Sequence, residues 1–231
     1  MIPTIHDINW AMDIVSELFF LGFEEALTYH RVEYSYGSGW EKGLSTWKSA
    51  HIDDLIDLDV VLNSGETKVC LIGECPDNRW VIKIGIDRSP IGSSTNYCES
   101  EAENFQLARK AGVDDCFAAT YKIGCIGSFP IFLQEFAAAD EGEIESECYN
   151  YVSSNREAYG LDEIEDEDIE EEAWDRVYDM GDEERVSAMF GDNDRLADFL
   201  YSNGINDLHS GNFGISSTGA AKIIDYSGYF G

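Results

Sequence analysis

The sequence predicts an α+β fold: five antiparallel strands in the middle of the chain, with helices before and after them. Three observations carry that expectation. Apolar residues recur at helical spacing over residues 1–30. Between Leu58 and Ala137 most of them fall in short period-two runs bounded by turn residues. Helical spacing then returns from Asp140 onward, in the most acidic part of the chain. A length of 231 residues is enough for a sizeable core in one two-part domain or two small ones.

In the first block Ile8, Ala11, Met12, Val15, Leu18 and Phe19 share a helical face, with Asp7 as the expected cap and Gly22 as a break before Glu24–His30. Tyr34 to Trp40 reads as a loop, and Ser45 to Leu55 as one short helix. Asp59–Leu62 and Lys68–Ile72, joined by Asn63-Ser-Gly-Glu66, predict a β-hairpin, and Arg79–Ile84 a third strand after the turn at Pro76–Asn78. On that third strand Trp80, Ile82 and Ile84 face one way, and Val81 and Lys83 the other. Asn96 to Gly112 predicts a helix ended by its glycine. Phe117–Gly124 and Pro130–Ala137 complete the strands, Pro130 at a first position where no ladder donor is needed.

Asp140 to Arg185 holds 20 acidic residues against three arginines, yet Tyr149, Tyr151, Ile164, Ile169, Trp174, Val177 and Met180 interrupt them. That mixture predicts acidic helices with an apolar stripe and a turn near Asp162–Asp168, rather than a disordered tract. Glu184 to Tyr201 reads as one further helix. The organisation expected is therefore an N-terminal helical extension (1–57), a strand-rich part (58–137), and a mostly helical part (138–231) that includes the acidic segment.

The whole chain carries 15 Lys plus Arg against 46 Asp plus Glu, a net charge of −31. Such a surface repels nucleic acid and anionic membranes and favours a protein partner with a basic surface. No run of eighteen apolar residues predicts a membrane span, and the N-terminus lacks a signal-peptide core, so a cytoplasmic protein is expected. The six cysteines form no C-x-x-C pair and read as reduced, partly buried thiols.

The chemistry concentrates near the C-terminus, in Asp207-Leu-His-Ser-Gly-Asn212 and Lys222-Ile-Ile-Asp-Tyr-Ser-Gly228. A turn, a short strand, a second turn near Thr218-Gly219 and a second strand would bring Asn212 and Asp225 to one end of a hairpin. Both offer oxygen donors, a partly open set that suits Mg²⁺ shared with nucleotide phosphates. Asp207 beside them could accept a proton from an attacking hydroxyl.

Asp207-Leu-His-Ser-Gly-Asn212 resembles the catalytic loop of the protein-kinase-like superfamily, with the Asp-to-Asn spacing kept, and is closer to its aminoglycoside and choline kinase branch. Ile-Ile-Asp225-Tyr-Ser-Gly228 resembles that branch's metal-binding motif, with Ser227 inserted before the glycine. Ile205 and Asn206 stand where protein kinases carry His and Arg. The resemblance implies a two-lobed fold binding ATP and Mg²⁺, with a five-stranded small lobe and a reduced helical large lobe. It covers about residues 58–137 and 186–228, and only Tyr229, Phe230 and Gly231 follow the metal motif, which implies a minimal, truncated member.

Within it Lys83 is similar to the strand lysine that reaches the α and β phosphates, and Glu101 to the helix glutamate that fixes it, Glu99 and Glu103 being alternatives. Val81 would sit over adenine, and Gly65 would lie in a phosphate-covering turn. Glu135 and Phe136 would lie in the hinge, Asn212 and Asp225 would hold the metal, and Asp207 would orient the acceptor. The function implied is ATP/Mg²⁺-dependent phosphotransfer to a protein or small-molecule hydroxyl, or nucleotide transfer on the same fold. The alternative is a weakly active or inactive kinase-fold binding protein. Its acidic surface would mimic a polyanion and occupy a basic, nucleic-acid-binding partner, a composition similar to small bacteriophage proteins that disable host factors.

Overall fold

Alternation of apolar and polar side chains builds the sheet at the centre of this computed structural model. Strands β1 (Val60–Ser64), β2 (Lys68–Gly73), β3 (Trp80–Gly85), β4 (Thr120–Ile126) and β5 (Phe129–Glu135) pair antiparallel in the order β1-β2-β3-β5-β4. The structure describes residues 1–28, 42–64, 68–73, 80–86, 96–164, 168–206 and 208–227. The loop expected at Tyr34–Trp40 and the turn at Pro76–Asn78 lie outside them.

The register sets which side chains share a face. Cys70 pairs with Lys83 and Lys68 with Gly85 across β2–β3, while Lys83 pairs with Phe132 and Val81 with Gln134 across β3–β5. One face carries Val60, Leu62, Val69, Leu71, Trp80, Ile82, Ile84, Ile131 and Leu133 into a single core. The opposite face carries Val81 and Lys83, and every residue of β3 is buried, so both faces of this strand are covered.

The first core also contains Ala11, Ile14, Val15 and Leu18 of the N-terminal helix Ile5–Phe20. The apolar stripe of this helix buries one face of the sheet, at about 1.5–3 kcal/mol for each large side chain removed from water. The N-cap of that helix is Thr4 rather than Asp7. Thr4 Oγ1 accepts the Asp7 N–H at 3.3 Å, and Asp7 Oδ2 accepts the Thr4 N–H at 2.6 Å, a reciprocal capping box. Gly22 supplies the left-handed φ of 84° that ends it, and residues 23–28 are again helical. The single helix expected over Ser45–Leu55 is two, Lys42–Ala50 and Ile52–Asp57. They meet at His51, whose ring stacks on Trp47 at 4.7 Å.

The chain divides into two compact units, Met1–Gln106 with Ala119–Phe136, and Leu107–Ala118 with Ala137–Gly231. The second holds a three-stranded antiparallel sheet, β6 (Ala137–Ala138), β7 (Phe213–Ser216) and β8 (Ala221–Ile223). Ala137 therefore opens a strand of this sheet rather than ending the strand before it. Helices Glu141–Ser154, Ile169–Asp179, Asp182–Phe190 and Asp194–Ser202 belong to the same unit. The helix expected over Glu184–Tyr201 is thus two. Gly191 leaves the first at φ 68°, and the Asn193 side chain caps the second by accepting the Leu196 N–H at 3.1 Å.

In the acidic segment, Cys148, Val152, Leu161, Ala173, Val177 and Met180 form a small core of their own, and Tyr149 stacks on Trp174 at 4.8 Å. The acids are not spread evenly. Glu141 and Glu143, then Glu170, Glu171 and Glu172, then Asp182, Glu183 and Glu184 fall in the first turns of three successive helices. Carboxylates there meet the positive end of the peptide dipole. No helix among the described residues is long and apolar enough to cross a membrane.

Candidate active site

The sequence-predicted residues fall in two groups, one in each unit. The first is built on β3 and on the helix Tyr97–Ala111. That helix starts under Asn96, whose Oδ1 accepts the N–H of Cys98 at 3.1 Å and of Glu99 at 3.3 Å. The cap lies tightly over β3: a Cβ on Gly85 would stand 2.3 Å from Asn96 Oδ1. From this start Cys98, Glu101 and Phe105 fall on the buried face. Glu103 is exposed, and Glu99 turns outward to an ion pair with Lys122.

Glu101 is fully buried and accepts from two lysines. Lys83 Nζ lies 2.8 Å from Oε2, and Lys68 Nζ on β2 lies 2.7 Å from Oε1. Burying a carboxylate and two ammoniums costs several kcal/mol per ion in desolvation, which short charge-assisted bonds offset. The cluster also acts on its neighbour Cys98: burial, reinforced by the Glu101 charge, raises the pKa of that thiol far above the ordinary range and keeps it protonated.

Val81 is buried on the same face as Lys83. Glu135 is engaged at its strand end. Its N–H donates to the Ala119 carbonyl at 2.8 Å, and its carboxylate accepts the Ala119 N–H at 3.2 Å. Its N–H therefore holds the sheet rather than a base. Phe136 lines an apolar cleft with Leu55, Val60 and Ile72. Gly65 lies outside the described residues.

The second group is the β7–β8 hairpin and the loop leading into it. Gly219 takes φ 79° in the turn, and Phe213 pairs with Ile223 at the other end. One step further, Ile224 donates its N–H to the Asn212 carbonyl at 2.8 Å, so Asn212 and Asp225 stand at the same open end of the hairpin. Both are half-buried. A single 3₁₀ turn, Ser210–Asn212, precedes β7, and His209 Nδ1 accepts the Gly211 N–H at 3.1 Å to close it. Asp182 Oδ1 accepts the Leu208 N–H at 3.0 Å. Asp207 lies outside the described residues.

The far side of the hairpin end is fixed as well. The buried Tyr226 donates its hydroxyl to the Ala118 carbonyl at 2.6 Å, with the Phe117 ring edge-on at 5.0 Å. Ala118 donates its N–H to the Ile223 carbonyl at 2.9 Å, and Lys222 Nζ reaches the Asp115 carbonyl at 2.8 Å. Asp225 is thus held between two tethered neighbours. Among the described residues no group of three or more His, Cys, Asp and Glu side chains is placed to hold a metal. A carboxylate and an amide oxygen are a donor set suited to a cation that takes its other ligands from phosphate and water.

Two residues in this arrangement escaped the sequence reading, Lys68 and Asp182. Lys68 opens a strand, where a lysine reads as solvated, and only the β2–β3 register puts it on the face of Lys83. Asp182 lies 26 positions before Leu208 with no motif to mark it. No family model matches the chain, and neither a curated protein nor a solved structure matches it.

Proposed function

We propose that the protein is an ATP- and Mg²⁺-dependent phosphotransferase of the protein-kinase-like type, acting on a hydroxyl of a protein or small molecule. The buried Lys83–Glu101 ion pair, formed between a strand and a helix 18 positions apart, is the observation that carries this reading. In it Lys83 binds the α and β phosphates, Asn212 and Asp225 bind Mg²⁺, and Asp207 orients the acceptor hydroxyl. Val81 and Phe136 contribute apolar surface toward the base. Phosphoryl transfer asks the protein mainly for positioning and for neutralisation of charge, which these side-chain types supply.

Binding of ATP with Mg²⁺, measured by calorimetry for wild type and Asp225→Ala, tests the reading. Saturable binding that weakens strongly in the variant supports it, and incubation with γ-labelled ATP then shows whether label reaches the protein or a partner. Absence of binding in the wild type sinks it.

A second reading has its own observation, the net charge of −31. In that reading the protein binds a partner with a basic, nucleic-acid-binding surface and displaces its polyanion. Failure to bind nucleotide together with salt-sensitive capture of such a partner favours it.

A further inference from the structure

We propose that Lys68 is a second phosphate-binding lysine, acting with Lys83 on the polyphosphate of the nucleotide. The proposal rests on the nucleotide-binding reading and adds a residue to it.

Three observations support this. Lys68 pairs with Gly85 and Cys70 with Lys83, so the two lysines lie diagonally across adjacent strands on one face. Like charges at such positions repel each other and are ordinarily avoided in a sheet. Here both ammoniums are drawn to one carboxylate, each by its own oxygen, at 2.7 Å and 2.8 Å. Finally, the carboxylate is wholly buried, while the Lys68 side chain is 13% exposed and that of Lys83 5%. Glu101 therefore fixes two cations side by side from within. A pair of adjacent ammoniums suits adjacent phosphate groups better than a single phosphate or a carboxylate.

The test is calorimetry of ATP, ADP and AMP with Mg²⁺ on wild type, Lys68→Met, Lys68→Arg and Lys83→Met. Lys68→Met is expected to weaken ATP binding about tenfold or more while AMP binding stays within about twofold, and Lys68→Arg to recover part of the loss. A structural lysine would instead weaken all three nucleotides alike. Equal ATP affinity in wild type and Lys68→Met, with Lys83→Met impaired, overturns this proposal and leaves the phosphotransferase reading standing. Wild type that binds none of the three overturns both. A variant-free check is lysine acetylation read by mass spectrometry: Mg-ATP should shield Lys68 and AMP should not, and labelling of Lys68 unaffected by ATP overturns the proposal even if Lys68→Met fails to fold.

Discussion

The carboxylate of Asp182 holds the backbone N–H of Leu208 at 3.0 Å, across 26 residues of sequence. Asp182 opens a helix of the acidic segment, and Leu208 follows Asp207 in the loop that the proposed function assigns to the acceptor. One acid of that segment is therefore a structural strut for this loop. Asp182→Ala removes the acceptor and should lower stability by about 1 to 2 kcal/mol. Phosphotransfer should fall while ATP affinity is retained. Equal loss of both in a folded variant would show that Asp182 does not act through the loop.

The contact of Asn96 with Gly85 gives a second expectation. A methyl group on Gly85 would displace the Asn96 side chain, whose Oδ1 lies 2.3 Å from the Cβ position. The helix would lose its cap, worth about 1 kcal/mol. Gly85→Ala and Asn96→Ala should each cost about that much, and the double variant clearly less than their sum. Additive losses in urea denaturation would refute the coupling.

Glu101 should be the most sensitive single position of the first unit. Glu101→Ala removes the carboxylate that the buried Lys83 and the partly buried Lys68 share, and breaking such an arrangement costs about 3 to 5 kcal/mol. Glu101→Gln keeps the shape and removes the charge, so it should be intermediate. A loss below about 1 kcal/mol for Glu101→Ala would mean that the cluster contributes little to folding.

The buried thiol gives a pH dependence. Burial, followed by the Glu101 charge, raises the Cys98 pKa in the folded state. Unfolded cysteine titrates near about 8.5. Above that pH the unfolded chain releases a proton that the folded chain keeps, so stability should fall as pH rises. Tyr159, pushed up to about 12 by burial and by Glu184, adds to the same trend above about pH 10. Denaturant midpoints at pH 7.5, 9 and 10 should decline in wild type and less steeply in Cys98→Ala. Alkylation of the native protein should modify the exposed Cys125 and spare Cys98.

Much of this arrangement is legible in the chain. The alternation on β3 places Trp80, Ile82 and Ile84 in one core, and the sequence order of β7, turn and β8 brings Asn212 and Asp225 to one end. Glu101 is distinguished from Glu99 and Glu103 by the helical spacing that buries it with Phe105. What stays hidden is whatever depends on pairing between distant segments. Lys68 needs the β2–β3 register, a property of two strands together. The break at Gly191 was written locally, in a glycine followed by a capping Asn193, but apolar periodicity runs on through it. The role of the helix Ile5–Phe20 as a cover of the sheet was also hidden, because an amphipathic helix does not state which surface it covers.

The clustering of acids in first turns means that charge reversal will not be uniform along the segment from Asp140 to Arg185. A lysine introduced at Glu171, in the opening turn of its helix, would oppose the aligned peptide groups, whereas a lysine at Asp179, in the closing turn, would favour them. Supercharging in reverse is thus a graded operation on this molecule: each negative charge taken from a helix beginning costs about 0.3–1 kcal/mol more than one taken from a helix end.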